Sequence, residues 1–176
     1  MEWLKSYIRD VPDFPKAGII FKDITPLLRS HQSFQAVVDS LADKFARERI
    51  DLVLGVEARG FIIAGAVALK LGAGFVPVRK AGKLPCQTRA VEFALEYGTD
   101  TLEMHQDAIQ PGQRVLIIDD LLATGGTAAA CCKLVEDAGG EVVALAFVIE
   151  LSFLEGRGKL EGYPILSLIQ YDEERP

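Results

Sequence analysis

VLIIDDLLATGGT, residues 115–127, is the stretch of this 176-residue chain from which the fold is read. Val115–Ile118 is an apolar run of strand length, and the acids Asp119 and Asp120 stop it. Ala123–Thr127 then reads as a turn that opens a helix. In open α/β sheets, ligands bind beyond the carboxyl ends of the strands, where this turn stands. Gly125 and Gly126 expose backbone N–H groups at a helix N-terminus, where the helix dipole also favours an anion. Thr124 and Thr127 add hydroxyl donors. Asp119 and Asp120 can accept hydrogen bonds from sugar hydroxyls and hold Mg²⁺ or its waters. Capping a helix needs neither two acids nor two hydroxyls. An acidic pair followed by a phosphate cradle therefore suits a ligand with both a diol and a phosphate, as ribose 5-phosphate has. Two other nucleotide loops are excluded, since neither GxxxxGK[ST] nor GxGxxG occurs.

Working outward, strand and helix signals alternate. Leu52–Val56 and Phe75–Arg79 read as short buried strands, and Arg114–Asp119 is launched from Pro111-Gly112. Residues 33–49 place Phe34, Val37, Val38, Leu41 and Phe45 on one helical face. Phe61–Leu71 is apolar nearly all round and is ended by Gly72, as a buried helix would be. Thr127–Ala138 reads as a helix stopped by Gly139-Gly140, and Val142–Ile149 follows as a strand. This order implies βαβ units and a parallel sheet. Two regions break the rhythm. Residues 82–100 open with GKLP and alternate through Val91, Phe93, Leu95 and Tyr97 before Thr101–His105, which predicts a two-stranded ribbon projecting from the domain. Val11–Pro26 is Pro-rich and reads as an irregular flap. Long excursions of this kind often serve as lids.

Composition narrows the function. Hydrophobic residues make up 49% and charged residues 25%, so the chain is globular, and its length fits one domain. Lys+Arg total 19 against 25 Asp+Glu, a net charge of -6, which argues against nucleic-acid partners because these need a basic face. No run approaches the ~18 apolar residues of a membrane span, and the N-terminus lacks a signal-peptide h-region. Cys86 and the adjacent Cys131 and Cys132 read as reduced thiols of a cytoplasmic protein. His31 and His105 are too few and too far apart for a His-based metal site and read as surface residues.

VLIIDDLLATGGT resembles the phosphoribosyl-diphosphate motif of the type I phosphoribosyltransferase family. The resemblance runs from about Val11 to Tyr171 and includes PDFPKAGIIFKDITPLL, EARGF at Glu57–Phe61, RKAGKLP at Arg79–Pro85 and LEYG at Leu95–Gly98. It implies an α/β fold with a parallel sheet, an N-terminal base-binding hood over about residues 1–30 and a flexible catalytic loop over about 82–100, all in one domain spanning 1–176. It also implies transfer of the 5-phosphoribosyl group from phosphoribosyl diphosphate to a purine, best read as adenine, giving AMP and pyrophosphate. Mg²⁺ is the implied cofactor and a homodimer the implied assembly, with no nucleic acid or membrane as partner.

The resemblance carries roles onto matching positions. Asp119 and Asp120 reach the metal indirectly, through ribose hydroxyls or water, while Ala123, Thr124, Gly125, Gly126 and Thr127 form the cradle. Arg59 and Lys80 meet the pyrophosphate, with Arg79 in support. Lys83 either joins them or stays solvated. Glu96 exchanges a proton with the purine ring, and Tyr97 covers the sugar or fills the loop's own cluster. Phe21 stacks on the base, the Ile20 carbonyl accepts from its amino group, and the Lys22 backbone N–H donates to a ring nitrogen. Leu121, Leu122 and Leu151 line the other side of the base or belong to the core. Members acting on 6-oxopurines commonly carry an acid just before the loop threonine. Ala123 stands there in this chain, which favours adenine.

Two rival readings stand beside this one. The first is the same chemistry on xanthine or hypoxanthine. The second is a ligand-sensing regulator that borrows the fold to bind phosphoribosyl diphosphate without catalysis. Such regulators bring an added DNA-binding domain, for which this chain has neither spare length nor a basic surface.

Overall fold

Apolar runs too short for helices, spaced by amphipathic segments, form a sheet covered on both faces. The computed structural model describes residues 1–94 and 98–173. Its strands are β1 (Arg9–Pro12), β2 (Ile20–Asp23), β3 (Leu52–Val56), β4 (Gly74–Lys80), β5 (Thr88–Ala94), β6 (Thr99–His105), β7 (Arg114–Leu122), β8 (Glu141–Leu151) and β9 (Ile165–Tyr171). The α-helices are α1 (Thr25–Arg29), α2 (His31–Phe45), α3 (Arg59–Leu71) and α4 (Gly126–Asp137). The main sheet has the order β5-β6-β4-β3-β7-β8-β9. Pairing is parallel from β4 through β3, β7 and β8 to β9, whereas β6 lies antiparallel to both β4 and β5.

The strand period of two splits the core into two layers. Along β7, Val115 and Ile117 face the cluster under α4, with Cys131, Leu134 and Val135. Leu116 and Ile118 face the cluster under α2 and α3, with Val37, Leu41 and Ile63. Burial on both faces is why β3 and β7 read as continuous apolar runs. Gly72 ends α3 at φ 68°, a left-handed cap in which its N–H bonds back to the last turn.

Four expectations need correction. Strand β7 does not stop at the acids but continues to Leu122, because β8 pairs alongside it, Leu121 opposite Ile149 and Leu122 opposite Glu150. The ribbon does not simply project. Its second strand joins the edge of the sheet through Arg79 opposite Glu103 and Lys80 opposite Leu102, and Val91, Leu102 and Met104 enter the core. His105, read as a surface residue, is half-buried there, its Nε2 at 2.7 Å from the Pro85 carbonyl oxygen. The N-terminal flap is regular in part, since β1 and β2 pair antiparallel, Val11 opposite Phe21 and Asp10 opposite Lys22. No helix among the described residues is long and apolar enough to cross a membrane.

Candidate active site

The carboxyl ends of β3, β4 and β7 lie side by side, so three turns distant in sequence meet at one edge. The β3 turn carries Glu57, Ala58 and Arg59, with a cis peptide between Glu57 and Ala58. It leads directly into α3. Gly60, in the first turn of that helix, lies so close to β7 that a Cβ there would stand 2.7 Å from Asp119 Oδ1. Only glycine lets the two turns approach this closely.

Arg59 Nε donates to Asp120 Oδ2 at 2.6 Å. Asp120 is buried, with 6% of its surface exposed, and its backbone N–H donates to Asp119 Oδ1 at 2.8 Å. Two adjacent carboxyls in a confined space resist ionising together. Burial first, and the neighbouring charge of Asp120 second, push the Asp119 carboxyl well above the usual range. A buried acid perturbed by a specific charged neighbour in a cleft is a candidate functional group.

Lys80, at the end of β4, pairs with Asp100 on β6 at 3.0 Å. The ammonium hydrogen bond holds the Asp100 carboxyl below its ordinary value. Arg79 and Lys83 do not reach toward the same space as freely. Arg79 Nε donates to Glu57 Oε2 at 2.6 Å and Lys83 Nζ to Glu57 Oε1 at 2.7 Å. Burial would raise the Glu57 carboxyl, but these two cations outweigh it and lower its pKa. Sequence reading gave no role to Glu57 or Asp100. The available signal was an acid at the end of one strand facing the basic pair at the end of the next.

These groups surround a cavity of about 490 Å³, lined by Arg59, Lys80, Asp100, Asp119, Asp120 and Thr127 among others. Phe93 of the ribbon also lines it, a position that sequence reading left without a role. A second cavity of about 90 Å³ shares Asp119, Leu121, Ala123 and Thr127 with the first and is lined further by Thr124, Gly125 and Gly126. Gly125 has φ 79° and is the N-cap of α4. The small cavity thus lies at a helix N-terminus beneath a glycine turn, the geometry of an anion cradle. Together the cavities offer carboxylates for hydroxyls, N–H groups for a phosphate, and two cations for a further anion.

Phe21 of β2 is brought to this site, since the Arg59 guanidinium stands 4.6 Å from its ring centroid and Phe14 packs on it edge-to-face at 5.2 Å. Ile20 is half-buried beside it. Lys22 keeps only 3% exposure, its ammonium 2.7 Å from Asp10 and 4.3 Å from the Tyr171 ring centroid. Its side chain therefore anchors the flap to β9. Leu121 lines both cavities, Leu122 lines the smaller, and Leu151, at the end of β8, lines neither. Glu96 and Tyr97 lie outside the described residues. For Mg²⁺, no group of three or more His, Cys, Asp or Glu side chains converges among the described residues. The Asp119–Asp120 pair nevertheless fits an ion that keeps most of its waters and takes its remaining ligands from a phosphate.

Comparison with known proteins gives the family of the chain. Residues 24–163 match the family described as the phosphoribosyl transferase domain. The adenine phosphoribosyltransferase of Solibacter usitatus is 61% identical over 170 residues, which cover 97% of this chain and 98% of that protein. That of Thermotoga maritima is 57% identical, over 96% of this chain and 97% of the other. Among solved structures, adenine phosphoribosyltransferase from Thermoanaerobacter pseudethanolicus superposes with a TM-score of 0.94 at 54% identity, covering 97% of this chain and 99% of that one. The Saccharomyces cerevisiae enzyme, complexed with an imino-altritol bisphosphate and adenine, gives 0.89 at 43% identity, covering 95% and 97%.

Proposed function

This chain belongs to the adenine phosphoribosyltransferases of the phosphoribosyltransferase family, and from that premise we propose how its residues perform the reaction. The enzyme transfers the 5-phosphoribosyl group from phosphoribosyl diphosphate to adenine in purine salvage, giving AMP and pyrophosphate. The observation that carries the assignment of roles is the joined pair of cavities, in which an anion cradle, two carboxylates and two cations converge.

The 5-phosphate sits in the Ala123–Thr127 turn and takes N–H and hydroxyl hydrogen bonds. Asp119 and Asp120 accept from the ribose hydroxyls. Arg59 and Lys80 face the diphosphate, and the charge that develops as it leaves C1 is met by groups already in place. Glu57 holds Arg79 and Lys83 as a supporting row of charge behind them. Mg²⁺, when bound, would offset diphosphate charge, and Asp119 and Asp120 would hold it through water or the ribose hydroxyls. Adenine lies against Phe21, its amino group donating to the Ile20 carbonyl and a ring nitrogen accepting from the Lys22 N–H. Leu121 closes the far side. A ring nitrogen of adenine attacks C1 as the diphosphate departs, and Glu96 exchanges the proton of the base. The segment 82–100, Tyr97 included, closes over the substrates and excludes water.

The active unit is a homodimer. Ile62 on α3 is 47% exposed, Leu69 two turns on along the same face 86%, and Phe75 at the start of β4 39%, exposed apolar groups that a second copy can cover. The enzyme works in the cytoplasm, a reading supported by three unpaired cysteines. Incubation with phosphoribosyl diphosphate, Mg²⁺ and each free nucleobase in turn tests the function. AMP from adenine is the expected product. A nucleotide formed only from hypoxanthine or xanthine would displace the adenine reading.

A further inference from the structure

The phosphate turn is backed by the segment that opens at Gly156. A Cβ on Gly125 would stand 2.3 Å from the carbonyl oxygen of Gly156, and a Cβ on Gly156 would stand 2.2 Å from the carbonyl oxygen of Ala123. Real Cβ atoms do not approach backbone this closely, so the two glycines let the two main chains lie in direct contact. A shift of the Gly156 backbone toward the turn would therefore push on residues 123–126.

Gly156 opens a short 3₁₀ turn, Gly156–Leu160, and the next residue fixes its place. Arg157 donates to Glu150 twice, Nε to Oε1 at 2.7 Å and Nη2 to Oε2 at 2.7 Å. Glu150 stands near the end of β8 with 4% exposure, and Gln170 of β9 donates to the same carboxylate at 3.2 Å. Burial of an ion pair is an inefficient source of stability. A two-point fork, however, fixes direction as well as distance. The carboxylate is held by two paired strands, and the guanidinium is carried one residue from the glycine that backs the cradle.

We infer that Glu150 and Arg157 are positioning residues for the phosphate turn, acting through Gly156 to set the direction of the N–H groups that bind the 5-phosphate. The inference rests on the cradle reading proposed above for what the turn binds, and on geometry alone for what supports it. Displacing a substrate-positioning group by about 1 Å can cost on the order of a hundredfold. Loss of the fork should therefore weaken binding of phosphoribosyl diphosphate while leaving adenine nearly untouched.

Three variants test this: Arg157→Lys keeps the charge and loses the fork, Gly156→Ala pushes on the turn, and Gly158→Ala is the control. A Cβ on Gly158 meets nothing within 4 Å. Two readouts are taken on folded protein: amide exchange of Thr124–Thr127 without ligand, and the Kd for phosphoribosyl diphosphate with Mg²⁺ by calorimetry. Arg157→Lys is expected to speed exchange and raise Kd roughly tenfold, with the KM for adenine changed less than about twofold. Gly156→Ala is expected to do more, and Gly158→Ala to match the parent. If Gly156→Ala does not fold, Arg157→Lys decides alone. Parent-like exchange and Kd in Arg157→Lys would overturn the inference, as would equal losses in Gly156→Ala and Gly158→Ala. Faster exchange in a protein whose parent form binds no phosphoribosyl diphosphate would support the mechanical link and refute the cradle's proposed ligand.

Discussion

Replacing Asp119 by Asn exchanges one carboxylate oxygen for an amide nitrogen and leaves the shape of the side chain intact. The amide oxygen can still accept from the Asp120 N–H, now at 2.8 Å, so the close approach of Gly60 is preserved. What disappears is a charge that the fold does not welcome. The Asp119 carboxyl is pushed well above its ordinary pKa by burial and by Asp120. Folding therefore favours its protonated form. Stability from this source is present below the ordinary carboxylate value and is lost as pH rises toward the raised one. The Asp119→Asn variant does not titrate, so its Tm should equal or exceed the parent's near neutrality, with the difference widening from about pH 4 upward. Activity should move the other way. A lost hydrogen bond to a ribose hydroxyl that leaves a buried polar group unsatisfied costs about 1–3 kcal/mol, so kcat/KM for phosphoribosyl diphosphate should fall roughly ten- to hundredfold. Calorimetric melting across pH and initial-rate kinetics at saturating adenine measure the two effects. A variant with parent-like kcat/KM would refute the role assigned to the acid. A Tm lowered at neutral pH would refute the electrostatic argument.

Other outcomes follow from the same geometry. Glu57→Gln should lower Tm by a few degrees at pH 7, since it removes about 1–2 kcal/mol from a pair of ion pairs whose cations are partly solvated. Because the Glu57 pKa is lowered, that stability is lost as pH falls through it, and parent and variant should converge in acid, as pH-dependent melting can show. Phe21→Ala should raise the KM for adenine roughly tenfold or more through lost stacking, with the KM for phosphoribosyl diphosphate little changed. Lys22→Met should cost stability, because it leaves Asp10 without the buried ammonium, yet preserve the preference for adenine, which the backbone reads; melting and a two-base kinetic comparison separate the effects. Leu69→Asp should shift the protein to monomer in sedimentation velocity.

Much of the fold was legible because burial on both faces leaves strands such as β3 and β7 as unbroken apolar runs, and because glycines mark the turns. The end of β7 was not. Asp119 and Asp120 look like a stop in sequence, but pairing with β8 carries the strand past them. The ribbon was readable as two strands, while its attachment to β4 depends on a register that no local pattern encodes. The acids, glycines and threonines of the cradle were legible as one contiguous motif. Glu57 was not, since its partners Arg79 and Lys83 stand 22 and 26 positions away. Gly156 was hidden for the same reason: its need for a missing side chain is set by Ala123 and Gly125, across β8.

The most direct test of the account is the ratio of kcat/KM for adenine to that for hypoxanthine, measured with phosphoribosyl diphosphate and Mg²⁺. Adenine offers an amino donor and an unprotonated N1, and hypoxanthine reverses both. Two buried mismatches of about 1–3 kcal/mol each predict discrimination on the order of a thousandfold. Comparable use of the two bases would contradict the readout by Ile20 and Lys22 and, with it, the placement of adenine against Phe21.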